Sequence, residues 1–216
     1  MKSWSPPGVI TRLKISGLAL IFFITAAGPA PALELTTTDR ADLARVEDYI
    51  NQIGTLQTRF LQASSNGAYA EGTLTLSRPG KLRLEYDPPV QMLIVADGTW
   101  LIYKDTELDQ VSYLPLNSTP AGIIVRQNMS FSDDDLNVVG IERGPGVLSI
   151  RVTGKDADEG SMTLVFADRP MALKKWIVVD PQGIRTSVSL LSSRYGIAVD
   201  RQMFIVKQPD AVVPDR

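Results

Sequence analysis

Residues 72–103 read GTLTLSRPGKLRLEYDPPVQMLIVADGTWLIY. Leu74 and Leu76 alternate with threonines, and Leu82, Leu84 and Tyr86 alternate with Lys81, Arg83 and Glu85. Successive side chains of a strand point to opposite faces, so this period of two describes strands with one apolar and one polar face. Arg78-Pro79-Gly80 marks the first bend. Asp87-Pro88-Pro89 ends the next strand, because proline donates nothing to a ladder. Asp97-Gly98 is a hairpin turn between a strand containing Ile94 and the run WLIYKD.

The same grammar extends outward. Upstream, Leu56, Thr58 and Phe60 alternate, and Asn66-Gly67 closes a hairpin. Before them, TTTDRADLARVEDYINQIG spaces Leu43, Val46, Ile50 and Ile53 as one helical face, with Thr38 or Asp39 as cap and Gly54 as stop. Arg45, Glu47, Asp48 and Asn51 occupy the other face. Downstream, QVSYLPL is a further strand. Then NSTPAGIIVRQN breaks the pattern, with Ser118 or Thr119 as cap, Pro120 at the first helical position, and Ile123 and Ile124 on a short helix. The stretches LNVVGIER, GVLSIRVTG, SMTLVFAD, ALKKWIVVD and IRTSVSLLSS read as strands, and RQMFIV as a last one. About ten or eleven strands with short turns predict a mainly β, antiparallel meander that curls into a barrel or partial barrel. Two helices are few for covering so much apolar face. The alternation fits a filled core and a hollow equally well.

Residues 1–32 carry Lys2, Arg12 and Lys14 ahead of the apolar run ISGLALIFFITAA, and end on Ala30-Pro31-Ala32. This is the pattern of an export signal cut after Ala32, leaving residues 33–216 as one domain. Without those three basic residues, nineteen Lys+Arg face 24 Asp+Glu, and a mildly acidic surface argues against a nucleic-acid partner. The chain has neither cysteine nor histidine. Disulfides, Ser-His-Asp and Cys-His catalysis and most zinc sites are thereby excluded. The reading calls for no catalytic residue, metal or cofactor.

The runs EGTLTLSRPGKLRLEYDPP, LIVADGTWLIYKD and STPAGIIVRQ together resemble the periplasmic outer-membrane lipoprotein carrier family, LolA. The resemblance implies an unclosed half-barrel with a small helical lid, monomeric, in the periplasm of a Gram-negative bacterium. It implies a carrier that takes acylated lipoproteins from an ATP-driven inner-membrane transporter, shields their acyl chains, and delivers them to an outer-membrane receptor. The arginine of the family's Arg-Pro falls on Arg78, beside Pro79, and is expected to hold lid carbonyls. Candidates for an acyl-chain cavity are Phe60, Leu74, Leu76, Leu82, Leu84, Tyr86, Ile94, Ile123 and Ile124. Leu82 and Leu84 are aliphatic where relatives often carry aromatic residues, which bears on cargo size rather than on the activity class.

Other constellations read as scaffold. Asp133-Asp134-Asp135 lacks the spacing of a calcium loop. Gly144-Pro145-Gly146 is a turn with no helix after it to cradle phosphate. Lys174-Lys175-Trp176 reads as an exposed strand start. Glu71 and Glu85 would be the carboxylates of a glycosidase, but Glu85 shares a face with Lys81 and Arg83. A lipid-sensing module of an envelope stress regulator is the alternative on the same scaffold, and a periplasmic hydrolase a weaker one. The absence of an acceptor cysteine separates a carrier from an acylated receptor.

Overall fold

The computed structural model describes residues 34–155 and 160–206. The export signal and its cleavage at Ala32 lie outside the described residues. Helix α1, Thr37–Gln52, begins the described chain. Strands β1 (Thr55–Ser64), β2 (Tyr69–Ser77), β3 (Lys81–Tyr86), β4 (Met92–Asp97), β5 (Trp100–Asp105) and β6 (Gln110–Pro115) follow. A 3-10 turn at Leu116–Ser118 and helix α2, Pro120–Val125, interrupt them. Strands β7 (Asn137–Gly144), β8 (Val147–Thr153), β9 (Ser161–Ala167), β10 (Ala172–Val179), β11 (Arg185–Leu190) and β12 (Arg194–Tyr195) complete one twelve-stranded antiparallel sheet.

The sheet is two meanders, not one. Strands β1 to β6 pair in succession, as do β7 to β11, and the halves join where β1 pairs β11, from Phe60↔Leu190 to Ser64↔Thr186. Strands β6 and β7 do not pair and form the two edges, so the sheet stays unclosed. Residues 116–136 carry the chain from one edge to the other. A connection that long frees β7 from pairing beside β6, which a tight hairpin would have forced.

The alternation resolves into a main buried inner face, while part of the outer face, at Thr75, Val95 and Ile102, is covered as well. Leu56 and Phe60 of β1, Leu74 and Leu76 of β2, and Leu82 and Leu84 of β3 meet Leu164, Trp176, Val188 and Leu190 from the other half in a single core. Leu43, Val46 and Ile50 of α1 and Ile53 just beyond it complete it, all less than a tenth exposed. Fully burying side chains of this kind contributes roughly 1.5–3 kcal/mol each, so α1 is held firmly. Gly72 is required for packing: a Cβ there would collide with the Glu85 carbonyl and stand 2.6 Å from the Phe60 ring. That ring lies edge-on to Tyr86 at 5.1 Å between centroids.

Three local expectations are corrected. The cap of α1 is Thr36, whose hydroxyl accepts from the Asp39 N–H at 3.1 Å while the Asp39 carboxylate accepts from the Thr36 N–H at 2.9 Å. This reciprocal pair satisfies two of the free donors at the helix start, which a cap at Thr38 or Asp39 would have left open. The helix is closed by Ile53 rather than Gly54, its N–H returning to Ile50. RQMFIV is not a strand: Arg201–Phe204 form a 3-10 turn capped by Asp200. It lies across the outside of β3, where Arg83 donates to the Met203 carbonyl at 2.9 Å. Both sides of β3 are already paired, so the segment satisfies its backbone locally and buries Phe204 instead. Among the described residues no helix is long and apolar enough to cross a membrane.

Candidate functional site

Between the two halves, beneath both helices, lies an inner pocket. Its walls are Leu56, Leu74, Leu76 and Leu82 on one side and Leu164, Leu173, Trp176 and Leu190 on the other; Ile50, Ile53, Ile123 and Ile124 roof it, and Arg78 stands at its rim. The free space there is only about 20 Å³, room for about one water. A long alkyl chain, whose methylenes are each about as bulky as a water, needs on the order of several hundred Å³. The inner pocket is therefore closed as it stands.

Beside it, under the Pro120–Ala121 end of α2, a second and more open cleft offers about 360 Å³. Leu82, Ile124 and Trp176 border both spaces. The cleft continues along Leu84, Ile94 and Leu101 of one half and Met162, Val178 and Val188 of the other. Tyr86, Tyr103, Gln62 and Thr186 add polar atoms. Burial pushes the Tyr86 phenol up to about 12, with Tyr103 and then the Gln62 hydrogen bond as smaller influences, and burial raises Tyr103 as well.

Arg78 leaves the end of β2 with its fork spread across the lid. Nε and Nη2 both donate to the Arg126 carbonyl, at 3.1 and 2.5 Å, and Nη2 also approaches the Asn51 side-chain oxygen at 3.1 Å and the Gln127 carbonyl at 3.4 Å. Nη1 donates to the Ile50 carbonyl. Arg78 thus joins the C-terminal end of α1 to the residue that ends α2. Burial lowers its pKa from the usual arginine value. Five donors in a rigid plane make this possible; a lysine ammonium has three and no such geometry.

Residues 126–136, the strap beyond α2, are fastened too. Asn51 donates to the Met129 carbonyl at 2.9 Å and accepts its N–H at 2.8 Å, and Glu47 accepts the Phe131 N–H at 2.6 Å. Met129 and Phe131 are buried. Arg126 pairs with Asp133 and Asp135, both at 3.1 Å, which gives the acidic triplet a structural partner. At its other end α1 is pinned by charges. Arg143 of β7 reaches Asp39 and Asp42, and Arg45 reaches Asp42 and Asp168. The Thr36 hydroxyl, then the Arg143 guanidinium, hold the Asp39 carboxyl down at about 2.

Residues 51–207 match the family model described as outer membrane lipoprotein carrier protein LolA, which covers most of the chain. The chain belongs to the LolA family. Similar curated relatives include the outer-membrane lipoprotein carrier protein of Azotobacter vinelandii, 25% identical over 188 residues spanning 83% of this chain and 90% of that one. The protein of the same name from Pseudomonas aeruginosa PAO1 is 26% identical over 183 residues, 81% and 87% of the two chains. A crystal structure of a LolA superfamily protein from Nitrosomonas europaea aligns with a TM-score of 0.46 and 11% identity, over 76% of this chain and 97% of that one.

Within this LolA-family chain, Leu74, Leu76 and Ile123 border the inner pocket, Leu84, Tyr86 and Ile94 the cleft, and Leu82 and Ile124 both. Phe60 is fully buried but borders neither; it fills the sheet over Gly72. Pro79 follows Arg78 outside both spaces, in a groove with Gly80 and Trp100. Sequence reading missed Trp176, placed above as part of an exposed strand start. A bulge between Leu173 and Lys175 inserts Lys174 unpaired, so Leu173 and Trp176 both face inward although three residues apart. A strict count by twos puts them on opposite faces. The spacing Leu-Lys-Lys-Trp was the available signal. Glu47 and Asn51, read as the solvent side of α1, turned out to hold the strap, for which the sequence offered no sign.

Proposed function

We propose that this protein is a periplasmic carrier that receives acylated lipoproteins released from the inner membrane and ferries them to the outer membrane with their acyl chains sheltered between the sheet and its lid. The observation that carries this reading is the apolar interior under a cover that Arg78 ties at the junction of α1 and α2, with Asn51 and Glu47 fastening the strap beyond it. Each methylene removed from water is worth about 0.8 kcal/mol, so an acylated protein does not cross the aqueous space unaided at a useful rate. A carrier must also let go, which a lid held by a few hydrogen bonds permits and a fused core does not.

In this role Arg78 is the latch, and the candidate cavity residues bordering the two spaces contact hydrocarbon. Residues 1–32 direct export and are removed. The protein works as a monomer without chemistry of its own. An ATP-driven inner-membrane transporter loads it, and an outer-membrane receptor unloads it. The test is incubation of the purified protein with spheroplasts that retain acylated lipoproteins. A soluble one-to-one complex with lipoprotein supports the reading; failure to release any, while an established carrier releases them in parallel, sinks it.

A further inference from the structure

The cleft is apolar near Arg78 and polar at its far end. Along β3, Leu82 and Leu84 come first and Tyr86 last; β1 likewise starts at Thr55, paired with Ser77 beside Arg78, and brings Gln62 to the opposite end. Tyr103 reaches the same cleft from β5. The Tyr86 hydroxyl donates to the Gln62 oxygen at 2.7 Å, which fixes the amide. That leaves the Gln62 NH2 and the Tyr103 hydroxyl without a hydrogen-bond partner among the described residues. Neither is sealed away, because among the described residues no fully buried side-chain polar atom lacks a partner. They face the open part of the cleft.

We propose that Gln62, Tyr86 and Tyr103 form a site for the ester and amide carbonyls at the head of the acyl chains, so that the chains lie with their tails toward Arg78. The proposal rests on the carrier reading. Its chemistry follows from what borders the cleft: neutral N–H and O–H donors and, among the described residues, no lysine, arginine, aspartate or glutamate. A phosphate or a free carboxylate would be desolvated there without a countercharge, whereas a carbonyl oxygen needs only a neutral donor. Donors set in a greasy wall add little to total affinity. They determine which end of the ligand goes where, as the few polar groups of apolar pockets commonly do.

The test compares two probes of equal chain length on the purified protein: a cysteinyl peptide carrying diacylglyceryl ester chains, and its dialkyl ether analogue, which lacks the ester carbonyls. Binding is followed by intrinsic tryptophan fluorescence. The wild type is expected to prefer the ester by roughly three- to tenfold, the effect of one ordinary hydrogen bond. Tyr103→Phe, which removes a hydroxyl bonded to nothing among the described residues, should bring the ratio close to one without changing ether affinity. Gln62→Met/Tyr103→Phe should abolish what is left. Phosphatidylglycerol in ester and ether forms shows the source: a matching preference assigns the site to acylglycerols generally, and restriction to the peptide assigns it to cargo. An equal response of the wild type to both peptides, or an undiminished preference in both variants, overturns the proposal while leaving a carrier intact. Failure of both peptides to bind the wild type removes the carrier reading with it.

Discussion

Consider Arg78→Leu. Lifting α2 and the strap away from α1 breaks the two bonds from Arg78 to the Arg126 carbonyl and the long one to the Gln127 carbonyl, while those to Ile50 and Asn51 stay with α1. A hydrogen bond from a charged donor contributes about 1.5–3 kcal/mol, and because these two share an acceptor they count once. The apolar burial of Ile124 and Val125 is lost on opening in both proteins, so it cancels from the comparison. The variant should therefore populate the open lid roughly ten- to a hundredfold more. The chain has no cysteine, so one engineered thiol reports without background. Ile124→Cys places it on the underside of α2, at a position 8% exposed and bordering both spaces. Its labelling by a small thiol reagent should accelerate by that factor when Arg78→Leu is added, and by less with Arg78→Lys. Equal labelling in the three backgrounds, with unchanged unfolding temperatures, would show that the lid closes without the arginine.

Acid should weaken the anchor of α1. The folded pKa of Asp39 lies below its usual 3.8, at about 2, so its contribution is fully present above pH 4 and is lost as pH falls toward 2. Urea midpoints should drop across that window, and the drop should shrink in Arg143→Met but not vanish, because the Thr36 hydroxyl is the larger cause. Gly72→Ala should destabilise by about 1–3 kcal/mol through collision with the Phe60 ring and the Glu85 carbonyl, measured by chemical denaturation; a neutral result would mean that β3 yields easily. Trp176→Ala removes the wall between pocket and cleft, should cost about 3–5 kcal/mol, and should admit an apolar dye that the wild type excludes.

What could be read from the sequence was whatever obeys a local period. The alternating leucines of β2 and β3, the Asp97-Gly98 hairpin and the apolar face of α1 all express rules spanning a few residues, and all stand in the fold. Alternation also brought out Leu74, Leu76, Leu82 and Leu84 as inward residues, though it could not say that they border space while Phe60 fills it. That difference is set by Gly72, a partner on another strand. Pairing across the molecule was hidden. Nothing near β1 names β11 as its neighbour, and nothing near β7 reveals that it starts a second run of strands at the opposite edge. The inward turn of Trp176 depends on one extra lysine, and the 3-10 turn at Phe204 on β3 already having both neighbours. Each miss is a case where tertiary pairing outweighs local pattern.

The passage from β6 to β7 carries a mechanical corollary. The peptide that covers the mouth is also the tether between its two banks, since residues 116–136 hold α2 and end where the second meander begins. A pull that raises the cover therefore draws on both banks, which links uncovering mechanically to widening. With that tether cut, the banks would still be joined along their common spine at β1 and β11 and through α1, which Arg78 ties to one bank and Arg143 to the other.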